Sequence, residues 1–146
     1  MAIDRELNIP NSIEDKIILH PFYNGGNMLF FKNNVFTDLK DFENCKLSMR
    51  ELYNKSIINT FYYGRLIVDS DGLIYTSFNN CASIGNISDS NIEYLLNKSF
   101  SNNHLWYLLR KNIPICSSCI YQNFCPPISD YELFINRFNL CHINPL

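Results

Sequence analysis

The sequence predicts an α+β fold: a small antiparallel β-hairpin, helices around it, and a C-terminal segment gathered on a metal by four cysteines. Three observations predict this. Gly64 to Val68 and Leu73 to Thr76 are β-branched-rich runs separated by Asp69-Ser70-Asp71-Gly72, whose Asp-Gly pair tolerates positive φ and closes hairpins. Ser48-Met49-Arg50-Glu51, Ser90-Asn91-Ile92-Glu93 and Ser129-Asp130-Tyr131-Glu132 are capping boxes, in which serine and glutamate side chains satisfy orphan amides at a helix start. Cys116, Cys119, Cys125 and Cys141 are spaced C-x2-C-x5-C-x15-C, and four thiolates are what one tetrahedral metal or one iron–sulfur cluster requires.

Taken in order, residues 1–16 are polar and lack sustained periodicity, so they read as a lead-in to a domain spanning residues 17–146. Ile17-Ile18-Leu19 is a short apolar run expected to form a buried strand that Pro21 stops, and Gly25-Gly26 marks a turn. That glycine pair lacks the Gly-Lys-Ser/Thr that a phosphate-cradling loop needs. Met28 to Phe31 is a buried strand or a helical turn, because periodicity does not separate the two for so short a run. Leu39 to Tyr53 has a helical pattern, with the first capping box inside it. Gly85-Asn86 after the hairpin reads as a turn, and the second capping box opens a helix near Ile92. Asn102 to Lys111 is expected to be another helix, with cations in its last turn and Pro114 beyond it. The third box opens a short helix at Ser129 that could return Cys141 to the site.

Composition narrows the function. The chain has 146 residues, 47% hydrophobic and 14% aromatic, enough to build a core without relying on a metal to fold. Its 12 Lys and Arg residues are scattered against 14 Asp and Glu, so there is no electrostatic footprint for nucleic acid or an anionic membrane. The N-terminus lacks the order of a signal peptide and no apolar run is long enough to span a bilayer, which places the protein in the cytoplasm. In that reducing compartment close-set cysteines are metal ligands or reactive thiols rather than disulfides.

The Cys116-x2-Cys119 step lets a tight turn aim two sulfurs at one ion while backbone amides hydrogen-bond to them. Thiolates select zinc, cuprous copper or iron–sulfur clusters, and spacing alone leaves zinc and iron–sulfur open. A redox dithiol at Cys116 and Cys119 is a further option, although such a motif ordinarily follows a strand and opens a helix. Cys45 is read as a packed thiol, Cys81 is not assigned as a ligand, and His20, His104 and His142 are read as surface or packing residues. No nucleophile elbow, Walker loop, dinucleotide fingerprint or His-Glu-x-x-His motif appears, so no catalytic residue is assigned.

The run Cys116-x2-Cys119-Ile120-Tyr121-x3-Cys125-Pro126-Pro127-x-Ser129-x-Tyr131-Glu132, ending in Asn139-Leu140-Cys141-His142, resembles the C-terminal SPASM domain of radical-SAM-type peptide maturases, closest to the grasp-with-spasm group. Pro21 to Asn24, Lys46 to Glu51, the Asp71-Gly72 hairpin and Gly85-Asn86-Ile87 also look familiar there. The resemblance implies an auxiliary [4Fe–4S] cluster on Cys116, Cys119, Cys125 and Cys141. It also implies work beside an ATP-grasp peptide ligase on a ribosomally made precursor peptide. Serine stands at 77 and 129, where the family pattern has ligands of a further cluster, so that cluster is expected to be missing. The radical-SAM core motif C-x3-C-x2-C is also absent from the sequence, which implies an accessory role in recognition. The alternative is a zinc-stabilised interaction domain with no redox role.

Overall fold

The computed structural model describes residues 2–7, 18–43, 45–77, 82–88, 91–102 and 104–143, without the side chains of Asn102 and His104. It is α+β, and the chain divides into two compact units: residues 1–44 with 139–144, and residues 45–138 with 145–146.

In the first unit, β1 (Ala2–Ile3) lies within the expected lead-in and pairs in parallel with β2 (His20–Pro21), in the register Ala2 with His20 and Ile3 with Pro21. The strand expected at Ile17 to Leu19 is therefore displaced. Ile18 is 74% exposed and belongs to no strand, while Ile17 lies outside the described residues. An apolar run forms a buried strand only where a partner covers it, and the pairing here falls on His20 and Pro21 instead.

The Gly25 turn is built by its neighbours. Asn24 Oδ1 accepts from the Gly26 and Asn27 amides at 2.9 and 3.0 Å, and Gly25 takes φ 88°. Asn27 Nδ2 donates to Asp4 O at 2.8 Å and Phe22 O at 2.9 Å, fixing the entry to α1 (Met28–Asn34). Of the two readings open for Met28 to Phe31, the helix is the one formed. It buries Phe30 and Phe31, whose rings meet edge-on with centroids at 6.1 Å, and Phe36 and Leu140 of the same unit are buried as well. Residues 139–144 join this unit through a parallel bridge between Thr37 and Cys141, with Thr37 N on Leu140 O and His142 N on Thr37 O, both at 3.0 Å.

The single helical pattern expected over Leu39 to Tyr53 divides into α2 (Lys40–Glu43) and α3 (Met49–Ile57). The capping box is the reason α3 begins where it does. Glu51 N donates to Ser48 Oγ at 3.3 Å, and Ser48 N donates back to Glu51 Oε2 at 2.7 Å, so the chain must be extended at Ser48.

The second unit contains the hairpin. β3 (Ile67–Val68) and β4 (Leu73–Tyr75) are antiparallel, pairing Ile67 with Tyr75 and Val68 with Ile74. Asp69 Oδ1 accepts from the Asp71 and Leu73 amides across the turn, and Gly72 adopts φ 76°. Gly85-Asn86, expected as a turn, is instead a third antiparallel strand, β5, paired with Leu73 and Ile74. Asn86 Nδ2 reaches Asp71 O at 3.1 Å, holding β5 over the turn.

Beyond it, α4 (Ile92–Asn102) is capped by Asn91, whose Oδ1 accepts from Glu93 N at 3.0 Å. Ser90, the expected cap, lies outside the described residues. The helix expected over Asn102 to Lys111 is two 3₁₀ turns, His104–Tyr107 and Arg110–Asn112. The cause is Asn59, which is 1% exposed: its backbone N–H donates to Trp106 O at 2.7 Å and its Nδ2 to Leu108 O at 3.0 Å. Both carbonyls are thereby engaged by a tertiary partner rather than by the amides four residues on. Trp106, Tyr62 and Leu105 form the core cluster, flanked by Phe61, Leu108 and Leu133. Phe100 and Tyr63 meet the Trp106 ring edge-on, with centroids at 4.3 and 5.1 Å.

The unit closes with α5 (Pro114–Ser117) and α6 (Asp130–Ile135). Among the described residues, no helix is long and apolar enough to cross a membrane.

Candidate functional site

The cysteine segment is a string of tight turns. Pro114 starts α5, where its missing N–H removes no helical bond. Ser117 N bonds Ile113 O at 2.8 Å, Cys119 N bonds Cys116 O at 3.0 Å, Gln122 N bonds Cys119 O at 3.2 Å, and Cys125 N bonds Tyr121 O at 3.0 Å. Cys116 is buried and its thiol lies 3.8 Å from Phe138 O, while Cys119 and Cys125 are half-buried.

Three side chains anchor this string by its carbonyls. Lys55, from α3, donates to Phe124 O at 3.2 Å and Cys125 O at 3.1 Å. Asn59 Nδ2 donates to Ile128 O at 2.9 Å, in addition to Leu108 O. Arg110 spreads its guanidinium over three acceptors: Pro126 O at 3.0 Å, Phe138 O at 2.7 Å and the Glu132 carboxylate. The Arg110–Glu132 pair is buried, with the two side chains 12% and 4% exposed. A small cavity bounded by Lys55, Arg110, Gln122 and Cys125 has a free volume of about 10 Å³, the scale of one water molecule.

The two serines at 77 and 129 both end on carboxylates of α6. Ser77, fully buried, donates to Asp130 Oδ1 at 2.6 Å, and Tyr62 Oη donates to the same oxygen at 3.1 Å. Arg65 reaches Asp130 Oδ2 at 3.3 Å while lying 4.7 Å over the Phe61 ring. Ser129 donates its amide and hydroxyl to Glu132 Oε2 at 2.8 and 2.7 Å, so the expected capping box is formed. Burial first, and the Asp130 carboxylate second, push the Tyr62 phenol well above its ordinary value of 10.0.

Cys116, Cys119 and Cys125 belong to the second unit, and Cys141 belongs to the first. Cys141 is half-buried and its thiol sits 3.4 Å from Ile143 O. Cys45 is also half-buried, and Cys81 lies outside the described residues. Among the described residues, no group of three or more His, Cys, Asp or Glu side chains is arranged to hold a metal ion. The donor chemistry of the cysteine string suits a thiophilic metal. As folded, the Cys116 thiol is set against a backbone carbonyl, and the loop that carries Cys119 and Cys125 is held by the protein's own hydrogen bonds.

The serine caps at Ser48 and Ser129 are legible in the sequence, whereas the anchoring roles of Lys55, Asn59 and Arg110 and the use of Asp130 as an acceptor for Ser77 and Tyr62 are not. Arg110 has a sequence signal only as a cation in the last turn of a helical pattern, which says nothing of its acceptors. No family model matches the chain, and no curated protein or solved structure was found to be similar to it.

Proposed function

We propose that the chain is a SPASM-type accessory module for the maturation of a ribosomally made peptide, working in the cytoplasm. Cys116, Cys119, Cys125 and Cys141 would be the ligands of one [4Fe–4S] cluster. The observation that carries this reading is the C-x2-C-x5-C-x15-C spacing, which supplies four thiolates from a short stretch of chain. The turns at Cys116, Cys119 and Cys125 support it, because they present three of those thiols on a backbone that Lys55 and Arg110 already restrain.

Once bound, such a cluster would supply a thiolate-anchored cross-link, with electron transfer open to it. The protein's own residues hold the loop: Arg110 and Lys55 fix the carbonyls on either side of Cys125, and Asn59 fixes Ile128. With no catalytic constellation in the sequence, the role assigned to the module is recognition of the precursor peptide or of an ATP-grasp peptide ligase.

Anaerobic purification followed by iron, sulfide and zinc analysis tests the reading. We expect about four irons per chain, with a broad visible absorption. Serine substitution at Cys116, Cys119, Cys125 or Cys141 should each remove most of the metal, whereas Cys45→Ser and Cys81→Ser should not. A colourless protein with one zinc per chain establishes the zinc-stabilised domain instead. Equal metal loss from Cys81→Ser would show the ligand set to be wrong.

A further inference from the structure

The first unit carries a polar cavity that neither the cysteine site nor the core accounts for. It has a volume of about 360 Å³, within the size range of small-ligand sites. Its lining comes from the end of α1, the following loop, α2 and the returning segment at His142. Two lysines line it, Lys32 and Lys40, and neither makes an ion pair among the described residues.

The acidic side chains of the same cavity are differently placed. Asp38 Oδ1 accepts from Leu39 N at 2.6 Å, and Asp41 Oδ2 accepts from Asp38 N at 2.7 Å, so one oxygen of each is engaged in building the turn into α2. Each carboxylate keeps a second oxygen able to accept. His142 contributes from the opposite side of the sequence. Its Nε2 lies 2.7 Å from Lys32 O, and because a carbonyl only accepts, Nε2 must carry the proton. Phe36 stacks obliquely on that ring at 5.5 Å and fixes it as part of the wall.

The charged groups that line the cleft are therefore two ammonium donors and two carboxylate acceptors, with the Asn33 amide beside them. A ligand that matches them must bring an anion and N–H donors together. An acidic peptide segment does this, with its side-chain carboxylates set against Lys32 and Lys40 and its backbone amides set against Asp38 and Asp41.

We infer that the Lys32/Lys40 cleft of the first unit binds a carboxylate-bearing peptide segment. The inference deepens the precursor-recognition part of the proposed function and rests on that reading, but it does not require the metal.

The test uses the full chain labelled with nitrogen-15, titrated with acetyl-Ala-Glu-Glu-Ala-amide and, separately, with its glutamine counterpart. We expect saturable amide shifts confined to residues 32–41 and 140–143 for the glutamate peptide. Affinity should fall about fivefold for the glutamine peptide and for K32A/K40A, the scale of two exposed ion pairs, and should weaken with added salt. The charge-keeping variant K32R/K40R should retain most of the binding, which separates a charge requirement from a folding defect. Equal binding of the two peptides, an affinity unchanged in K32A/K40A, or the absence of saturable shifts would each overturn the inference. If the chain carries its cluster but the glutamate peptide does not bind, the cleft assignment fails and the maturation module stands. If the glutamate peptide binds at this cleft in a chain without iron, the cleft stands and the iron–sulfur reading fails.

Discussion

Replacing Arg110 with methionine keeps an unbranched stem of similar length and removes every donor. Three acceptors lose their partner: Pro126 O, Phe138 O and the Glu132 carboxylate. The carboxylate dominates, because Glu132 is only 3% exposed and would be left as a buried charge without its cation. Removing one member of a buried pair typically costs about 3–5 kcal/mol, and the two carbonyls add to this only in so far as water fails to reach them. For a chain of this size 1 kcal/mol corresponds to about 2–4 °C, so Arg110→Met should lower the unfolding midpoint by roughly 10 °C. Thermal unfolding followed by Trp106 fluorescence reads the midpoint and urea unfolding with the same probe reads the free-energy loss, since Trp106 is the single tryptophan, is fully buried and lies in the same unit.

The double variant decides the mechanism. Adding Glu132→Gln removes the stranded charge while leaving an amide oxygen to accept from Ser129, so R110M/E132Q should be about 2 kcal/mol more stable than R110M alone. A loss below about 1 kcal/mol in R110M, or a double variant no better than the sum of the singles, would refute the view that Arg110 acts by neutralising a buried carboxylate.

Three further outcomes follow from the fold. Asn59→Ala strands Leu108 O, Ile128 O and Phe61 N, and should cost about 2–4 kcal/mol in the same unfolding assay. Gly72→Ala places a Cβ at φ 76° within 3.1 Å of Asn86 Oδ1 and 3.2 Å of Ile87 Cγ2. It should destabilise by about 1–2 kcal/mol, with hydrogen exchange accelerated first at Ile87, whose amide bonds Gly72 O at 2.9 Å. The raised pKa of Tyr62 means that the folded state keeps this phenol protonated where the unfolded state ionises it. The stability it contributes is complete below pH 10 and is lost as pH rises above that toward the folded value, so alkaline unfolding should begin there. Tyr62→Phe should flatten that alkaline limb. An unchanged limb in Tyr62→Phe would assign base unfolding to other groups.

The sequence by itself determined the local structure that depends on neighbouring residues. Asp69 to Gly72 closed the hairpin because a carboxylate two to four residues away can satisfy turn amides and glycine accepts positive φ. Ser48 with Glu51 and Ser129 with Glu132 started helices because each box is completed within four residues. The cysteine spacing is likewise a property of the chain, and it leaves a thiophilic metal and a redox dithiol as the candidate chemistries.

Only the tertiary structure decided what depends on distant partners. The segment after Asn102 matches a helical pattern, yet Asn59 takes two of its carbonyls from more than forty residues away and leaves 3₁₀ turns. Gly85-Asn86 is turn-like in composition and becomes a strand because the Asp71-Gly72 turn offers it hydrogen bonds. The assignment of Cys141 to the first unit, and of Cys116, Cys119 and Cys125 to the second, is invisible in their spacing. The same is true of the use made of Ser77 and Ser129, whose hydroxyls end on Asp130 and Glu132. A buried hydroxyl must find an acceptor wherever the fold brings one, and sequence separation carries no information about which residue that will be.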